Sequence, residues 1–187
     1  MRLFLAIDLD DAARAAIVAE QTRIAGALPR PARPRFVTPE QLHLTLVFLG
    51  DVDEALAARV DAVLAPALPR TAFDAVFDGI GMFPPRGAPR VLWIGVTDGA
   101  RELIAVQQDV AHRMTHLGIA LEARSFSPHL TIARWRDART SDRAAVDALP
   151  QARLGVRVRI DHVTLYRSTL SSAGATYRPL ARANLLS

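Results

Sequence analysis

The sequence predicts an α+β protein whose functional residues lie on two strands. Three observations support this prediction. Strand-like and helix-like segments alternate along the 187 residues, the pattern His-Leu-Thr-(Leu/Ile) occurs twice, and half of the residues are hydrophobic. A chain of this length and composition can bury a sizeable core, either as one domain or as two small lobes that share a core.

Alternating apolar and polar residues predict the strands, and apolar residues at helical spacing predict the helices. The predicted strands cover residues 3–9, 42–48, 72–80, 90–96, 127–133 and 156–166, and a strand at 177–180 pairs with the last of these. The predicted helices cover residues 11–27, 52–68 and 100–117, and a short helix capped by Ser141 or Asp142 ends before Pro150. The Pro-rich segments 30–35 and 81–89 are expected to be irregular loops. The two halves share a similar order of elements, which suggests an internal duplication.

Composition excludes several classes of function. The chain has no cysteine, so disulfides, thiolate zinc sites and a cysteine nucleophile are excluded. The apolar stretch at residues 3–9 is too short for a signal peptide or a membrane span, so we expect a cytoplasmic protein without membrane association. The net charge is +4 and every basic residue is Arg, which suits phosphate contacts or reflects genomic base composition.

The two copies of the pattern lie 86 positions apart, each inside an apolar, alternating run. In a strand, side chains alternate between faces, so His43 shares a face with Thr45, and His129 shares one with Thr131. If the aliphatic face is buried, both imidazoles and both hydroxyls point toward solvent or a cleft. Two such strands facing each other would present all four groups to one ligand.

These groups suit acid–base chemistry on a cyclic phosphate diester. Hydrolysis needs a base for the attacking water and an acid for the leaving alkoxide, and imidazole serves as either near neutral pH. One histidine must be neutral and the other protonated, which predicts a bell-shaped pH profile. The hydroxyls of Thr45 and Thr131 would hold the non-bridging oxygens, and Arg134 would add a charge-assisted contact. No metal or cofactor is required.

The order of the motifs resembles a known family. The matching segments are residues 3–9, 42–50, 90–93, 128–134 and 165–177, which together extend over essentially the whole chain. They are similar to those of the bacterial RNA 2′,3′-cyclic phosphodiesterases, the LigT-like enzymes once named 2′-5′ RNA ligases, within the two-histidine phosphoesterase superfamily.

The resemblance implies a single bilobal domain over residues 1–187, with a V-shaped cleft between two antiparallel sheets, helices outside and pseudo-twofold symmetry. It implies metal-independent opening of an RNA 2′,3′-cyclic phosphate to a 2′-phosphomonoester, with weak reversible 2′-5′ joining. His43 would protonate the O3′ leaving group and His129 would activate water. Arg134 matches the phosphate-binding arginine of the family. Phe48 matches a position that stacks a nucleobase, although an aromatic residue in an apolar strand is often part of the core.

Two alternatives stay open. The same fold could act on another small cyclic or 2′-5′-linked nucleotide, or the chain could be a non-catalytic RNA-binding module that uses Arg-rich rims. The rim arginines are at positions 30, 33, 35, 134, 136 and 139. We expect RNA as the partner and a monomeric protein.

Other histidines and one arginine are weaker candidates for the site. A third H-x-T at His162 is expected to be peripheral, because the family that the chain resembles has a strand here but no catalytic histidine. His112 and His116 have the spacing of a metal-binding pair but lack a nearby acidic third ligand, so no metal is expected there. Arg90 could reach the cleft from a strand end.

Overall fold

The computed structural model describes residues 1–29, 34–150, 153–171 and 174–187. The helices within these ranges are α1 (Asp11–Ala27), α2 (Glu54–Leu64), α3 (Ala100–His116) and α4 (Thr140–Asp147). The strands are β1 (Arg2–Ile7), β2 (Arg35–Phe36), β3 (Leu44–Asp51), β4 (Leu68–Thr71), β5 (Phe73–Phe83), β6 (Val91–Asp98), β7 (His129–Arg134), β8 (Val156–Ile160), β9 (His162–Ser171) and β10 (Gly174–Leu186). A short 3₁₀ helix, Pro39–Gln41, precedes β3.

The strands form two five-stranded sheets, which confirms the predicted α+β class. The first sheet has the order β3-β1-β9-β10-β4 and the second has the order β2-β7-β6-β5-β8. Among the described strands, all pairs are antiparallel except β10 with β4, so the expectation of two antiparallel sheets holds apart from this one parallel pair. The sheets do not correspond to the two halves of the sequence, because the C-terminal strands β9 and β10 join β1 and β3 in the first sheet.

Helices α1 and α3 each pack against a sheet other than the one whose strand precedes them in the chain. Helix α3 follows a strand of the second sheet but contacts β3 and β4 of the first. Helix α1 follows a strand of the first sheet but contacts β8 of the second. Each sheet therefore buries its apolar face partly against a helix from the other part of the chain. Among the described residues, no helix combines the length and the apolar character needed to cross a bilayer.

Local sequence accounts for where the helices begin. The side chain of Asp10 accepts a hydrogen bond from the Ala13 amide at 2.7 Å and caps α1. The predicted cap of α4 was wrong. That helix begins at Thr140, with Arg139 as its N-cap, and Asp142 lies three residues further on. The Asp142 carboxylate accepts from the Arg139 amide at 2.8 Å, so it stabilises the helix start from inside the first turn.

Several other predicted boundaries differ from the structure. Helix α2 ends before Pro66, and the chain then enters β4 rather than continuing as a helix to residue 68. Residues 81–83, expected to be a loop, extend β5 and pair with β6. The predicted strand 156–166 is divided at Asp161 into β8 and β9, which belong to different sheets. Arg35, assigned to a loop, begins β2, whereas Arg30 and Arg33 lie outside the described residues. The predicted pairing of 177–180 with the preceding strand is confirmed within β10 and β9.

Gly81 in β5 leaves room for the side chain of Trp93 in β6. A Cβ at Gly81 would overlap the indole ring, and a Cβ at Gly95 would lie 3.2 Å from it. Gly81 is also the cross-strand partner of Trp93. The indole therefore lies over two positions that have no side chain.

We predict that Gly81→Ala destabilises the protein by about 1–3 kcal/mol, because the new methyl group must displace a packed ring. Gly26→Ala is the matched control, since nothing lies within 4 Å of its Cβ position in the last turn of α1. That change should be neutral or stabilising by roughly 0.5–1 kcal/mol. Urea unfolding measures both free energies, and equal values for the two variants would contradict the prediction.

Candidate active site

The strands β3 and β7 each carry a β-bulge directly after the threonine of the repeated pattern. In the pairing of β3 with β1, Thr45 lies opposite Ala6 and Val47 lies opposite Leu5, so Leu46 is the extra residue. In the pairing of β7 with β6, Ile132 is the extra residue in the same way. The burial patterns agree, because each strand has two consecutive buried residues followed by an exposed one.

The bulges decide which side chains reach the cleft. In a regular strand, residues three apart point to opposite faces. The extra residue reverses this, so Phe48 joins the face of Thr45, and Arg134 joins the face of Thr131. Helix α1 supports the second bulge, since Gln21 Nε2 donates to the Ile132 carbonyl at 2.9 Å.

All six residues predicted for the site line one cleft between the two sheets, with a volume of about 400 Å³. These residues are His43, Thr45, Phe48, His129, Thr131 and Arg134. The Phe48 side chain is 62% exposed, so it lines the cleft and is not part of the core. The apolar side chains between these residues are buried, including Leu44 and Leu130.

His43 is half-buried at the end of the 3₁₀ helix. Its Nε2 lies 3.1 Å from Thr45 Oγ1, and the ring also forms a hydrogen bond with the Gln41 backbone. Phe4 and Tyr177 lie against the imidazole, with ring centroids 4.9 and 5.1 Å away. These contacts fix the orientation of the ring.

His129 has a corresponding environment on the second sheet. Its Nδ1 lies 2.8 Å from the Ser127 carbonyl oxygen, two residues earlier, just as the backbone partner of His43 is two residues earlier. A carbonyl can only accept, so Nδ1 carries the proton and Nε2 of the neutral ring is free to accept one. Phe83 packs edge-on against the imidazole at 5.0 Å.

Burial holds both imidazoles in the neutral form. Desolvation lowers the pKa of His43 to about 4, and the guanidinium of Arg134 adds to this effect. The hydrogen bond to the Gln41 backbone and the carboxylate of Asp8 act in the opposite direction. Desolvation and Arg134 also lower the pKa of His129. Arg134 therefore lies within electrostatic reach of both rings, and in the free protein its guanidinium faces two neutral imidazoles.

The cleft lining includes residues that the sequence did not single out for the site. They are Arg2, Leu3, Phe4, Val37, Gln41, Ser168, Leu170, Ala175 and Tyr177. The available signal was the alternation of β1, in which Arg2 and Phe4 share a face. That signal depends on knowing which face of β1 meets the cleft.

His162 belongs to a separate polar cluster. Asp8 accepts hydrogen bonds from Thr164 Oγ1 at 2.7 Å and from Tyr166 Oη at 2.6 Å, and His162 Nε2 lies 3.3 Å from it. These bonds more than offset desolvation, so the pKa of Asp8 falls to about 2. Hydrogen bonds to Asp8 and Asp161 raise the pKa of His162. Neither His162 nor Thr164 lines the cleft.

The other candidates also lie outside the cleft. Arg90 is exposed and is not part of the cleft lining. The rings of His112 and His116 are 4.1 Å apart on α3. In the part of the chain that the structure describes, no three His, Asp or Glu side chains form a group that could hold a metal ion.

Paired imidazoles, hydroxyls and a guanidinium in a cleft between two sheets define a phosphoesterase type of site. The model of the 2′-5′ RNA ligase superfamily matches residues 9–171, and the chain belongs to this family. This confirms the resemblance seen in the sequence.

Named relatives are similar over most of their length. The RNA 2′,3′-cyclic phosphodiesterase of Archaeoglobus fulgidus is 37% identical over 137 residues, which cover 72% of each chain. That of Methanothermobacter thermautotrophicus is 33% identical over 180 residues, which cover 95% of each. Among solved structures, Escherichia coli LigT in its apo form has a TM-score of 0.79 and 29% identity, covering 100% of this chain and 98% of LigT. LigT complexed with 3′-AMP gives a TM-score of 0.75 at 28% identity, covering 98% and 97%.

We predict that the histidines titrate in three distinct ways in the free protein. His43 should titrate near pH 4 and His129 below 6.5, because both are desolvated, whereas His162 should titrate above 6.5 because two carboxylates stabilise its cation. NMR titration of the ring protons, assigned with single His→Gln variants, measures these values. A His43 pKa at or above 6.5 would show that the imidazole is not buried as described.

Proposed function

We propose that the protein hydrolyses RNA 2′,3′-cyclic phosphate ends to 2′-phosphomonoesters, with His43 and His129 as the acid–base pair. One observation carries the proposal. Two imidazoles, one directly before the bulged strand β3 and one at the start of the bulged strand β7, share a cleft with the cation Arg134. The names of the relatives, RNA 2′,3′-cyclic phosphodiesterase, support the same substrate.

The reaction is an in-line displacement at phosphorus. His129, whose neutral Nε2 is free, removes a proton from water as the water attacks phosphorus. The P–O3′ bond breaks on the opposite side, and His43 gives its proton to O3′. The phosphate stays on O2′, and the proton taken up by His129 returns to His43 through solvent before the next turnover. General acid and base catalysis contribute about 10²–10⁴-fold each.

The remaining residues stabilise charge and position the nucleotide. The hydroxyls of Thr45 and Thr131 and the guanidinium of Arg134 are donors for the non-bridging oxygens, whose charge grows in the transition state. Phe48 offers its exposed ring to the terminal base, and such stacking contributes roughly 1–3 kcal/mol. Because these side chains supply acid, base and positive charge, the mechanism requires no metal ion.

We predict that His43→Ala and His129→Ala each lower kcat by about 10²–10⁴-fold on an oligoribonucleotide with a 2′,3′-cyclic phosphate end, assayed in EDTA. His162→Gln is the matched control, since it alters the third H-x-T outside the cleft and keeps a donor toward Asp8. Full activity of either alanine variant would refute the acid–base pair. Loss of wild-type activity in EDTA would refute the metal-free mechanism, and a 3′-phosphate product would reverse the leaving group.

We predict a bell-shaped kcat/KM profile with its maximum below pH 6.5. Activity requires one neutral and one protonated histidine, so the rate falls below the lower pKa of the pair and above the higher one. Both pKa values are lowered in the free protein, His43 to about 4, so both limbs lie in the acidic range. The profile of kcat should lie at higher pH, because a bound phosphate anion favours the imidazolium form. A kcat/KM maximum above pH 7 would contradict the prediction.

A substrate with sulfur in place of the bridging O3′ tests which histidine is the acid. A thiolate leaves without protonation, so His43→Ala should lose less than about tenfold on this substrate, against about 10²–10⁴-fold on the oxygen substrate. His129→Ala should be equally impaired on both. The reverse result would exchange the two roles.

The same geometry supports weak 2′-5′ joining. If the 5′-hydroxyl of a second RNA replaces water, His129 removes its proton and His43 again protonates O3′. The product is a 2′-5′ phosphodiester, and the reverse step regenerates the cyclic phosphate.

A further inference from the structure

We propose that the cleft contains a second nucleotide subsite, in which Arg2 binds the phosphodiester preceding the terminal nucleotide and Leu170 supports the next base. This proposal rests on the proposed function, because it names which form of the substrate the same cleft favours. It predicts a preference for an RNA end over a free mononucleotide.

Strand register places these residues in a fixed order away from the histidines. Neighbouring strands align Phe48, Phe4 and Tyr166 in one row across the first sheet. The next row contains Arg2, Ser168 and Tyr177, and the row after it contains Leu170 and Ala175. Successive rows lie about 7 Å apart, since each is two residues further along the strands. The cleft therefore presents an aromatic ring, then a cation, then an apolar side chain.

Arg2 is available for an anionic ligand. It is exposed at the start of β1, it lines the cleft, and it forms no ion pair with any described residue. Its cross-strand neighbour Asp51 is outside the cleft lining. Arg2 is therefore a second guanidinium in the same cleft as Arg134, which the catalytic centre already uses. A planar guanidinium binds phosphate oxygens with two parallel hydrogen bonds.

Tyr177 connects the two cations. Desolvation raises its pKa, while Arg134 and Arg2 both act to lower it, which puts its hydroxyl within electrostatic reach of both guanidinium groups. Tyr177 lines the cleft, and its hydroxyl forms no hydrogen bond with any described residue. Its hydroxyl is thus a donor that can serve a phosphate bound by either guanidinium.

Leu170 is exposed to an unusual degree for an apolar residue. It is 64% exposed, and with Phe48 it is one of two large hydrophobic side chains that are both exposed and part of the cleft lining in the described chain. An apolar side chain beyond the terminal base position, with a cation in between, follows the order of base, phosphate and base along an RNA strand. The occupant with this chemistry is the penultimate nucleotide of a single-stranded RNA end.

The test compares adenosine 2′,3′-cyclic phosphate with the dinucleotide ApA that carries the same cyclic end. We expect the wild type to favour the dinucleotide in kcat/KM by at least about tenfold, equivalent to 1.4 kcal/mol. Arg2→Ala and Leu170→Ala should each reduce that ratio about five- to tenfold. The controls are Arg167→Ala, on the opposite face of the neighbouring strand, and Leu180→Ala, exposed outside the cleft, and neither should change the ratio.

A chemically altered substrate tests the subsite in the wild-type protein, so the result does not depend on how the variants fold. In a dinucleotide with an uncharged methylphosphonate linkage, the wild type should lose most of its preference, and Arg2→Ala should have no further effect. A plot of log kcat/KM against log salt concentration should also have a slope that is shallower by about 0.7 for this substrate, because one phosphate contact is lost.

The outcomes separate the inference from the proposed function. Equal wild-type kcat/KM on both substrates, or a methylphosphonate dinucleotide as good as the natural one, would overturn the subsite and leave the hydrolase intact. An equal loss on both substrates in Arg2→Ala would place Arg2 at the reacting phosphate and overturn the subsite as well. No turnover of either substrate by the wild type would overturn both proposals.

Discussion

The β-bulge after each threonine is the constraint on which the rest of the cleft depends. Without the extra residues Leu46 and Ile132, Phe48 and Arg134 would point into the core side of their sheets. A buried arginine without a partner would cost several kcal/mol, so the bulge in β7 is part of the stability of the strand as well as of the site. The second bulge is also satisfied in its hydrogen bonding, because the Ile132 carbonyl accepts from both Gln21 Nε2 and the Val37 amide.

Charge in the cleft follows from this geometry. The bulge brings one guanidinium within electrostatic reach of two desolvated imidazoles, and both the burial and the cation favour the neutral rings. In the free protein these three groups therefore carry one fixed positive charge and two uncharged rings. A cyclic phosphate diester carries one negative charge, which complements that arrangement and raises the pKa of whichever imidazole lies nearer. Under the proposed mechanism, the substrate itself would then stabilise the proton needed for the leaving group.

The sequence predicted most of the elements, and the histidines and threonines of the cleft, because these follow from local patterns. Phe48 was predicted from the family resemblance, since alternation alone places it on the face opposite Thr45. Alternation around His43 and His129 defines a buried aliphatic face, and Asp10 begins a helix through its own side chain. Long-range register was not predictable in the same way. The sequence near Asp161 does not reveal that the chain changes sheets there, and nothing local indicates that Arg2 faces the cleft. Both facts depend on which strands become neighbours.

The third H-x-T shows why the tripeptide alone does not make a site. Along β9, the pairing with β1 runs from Ser168 to Thr164 without a register shift, so no bulge follows this threonine. Thr164 is fully buried and gives its hydroxyl to Asp8, and His162 is held between two carboxylates that favour its charged form. An imidazolium bound to carboxylates has no free nitrogen for a substrate, and its neighbours repel a phosphate. The same three residues therefore produce a structural ion pair in one register and a candidate acid–base group in another.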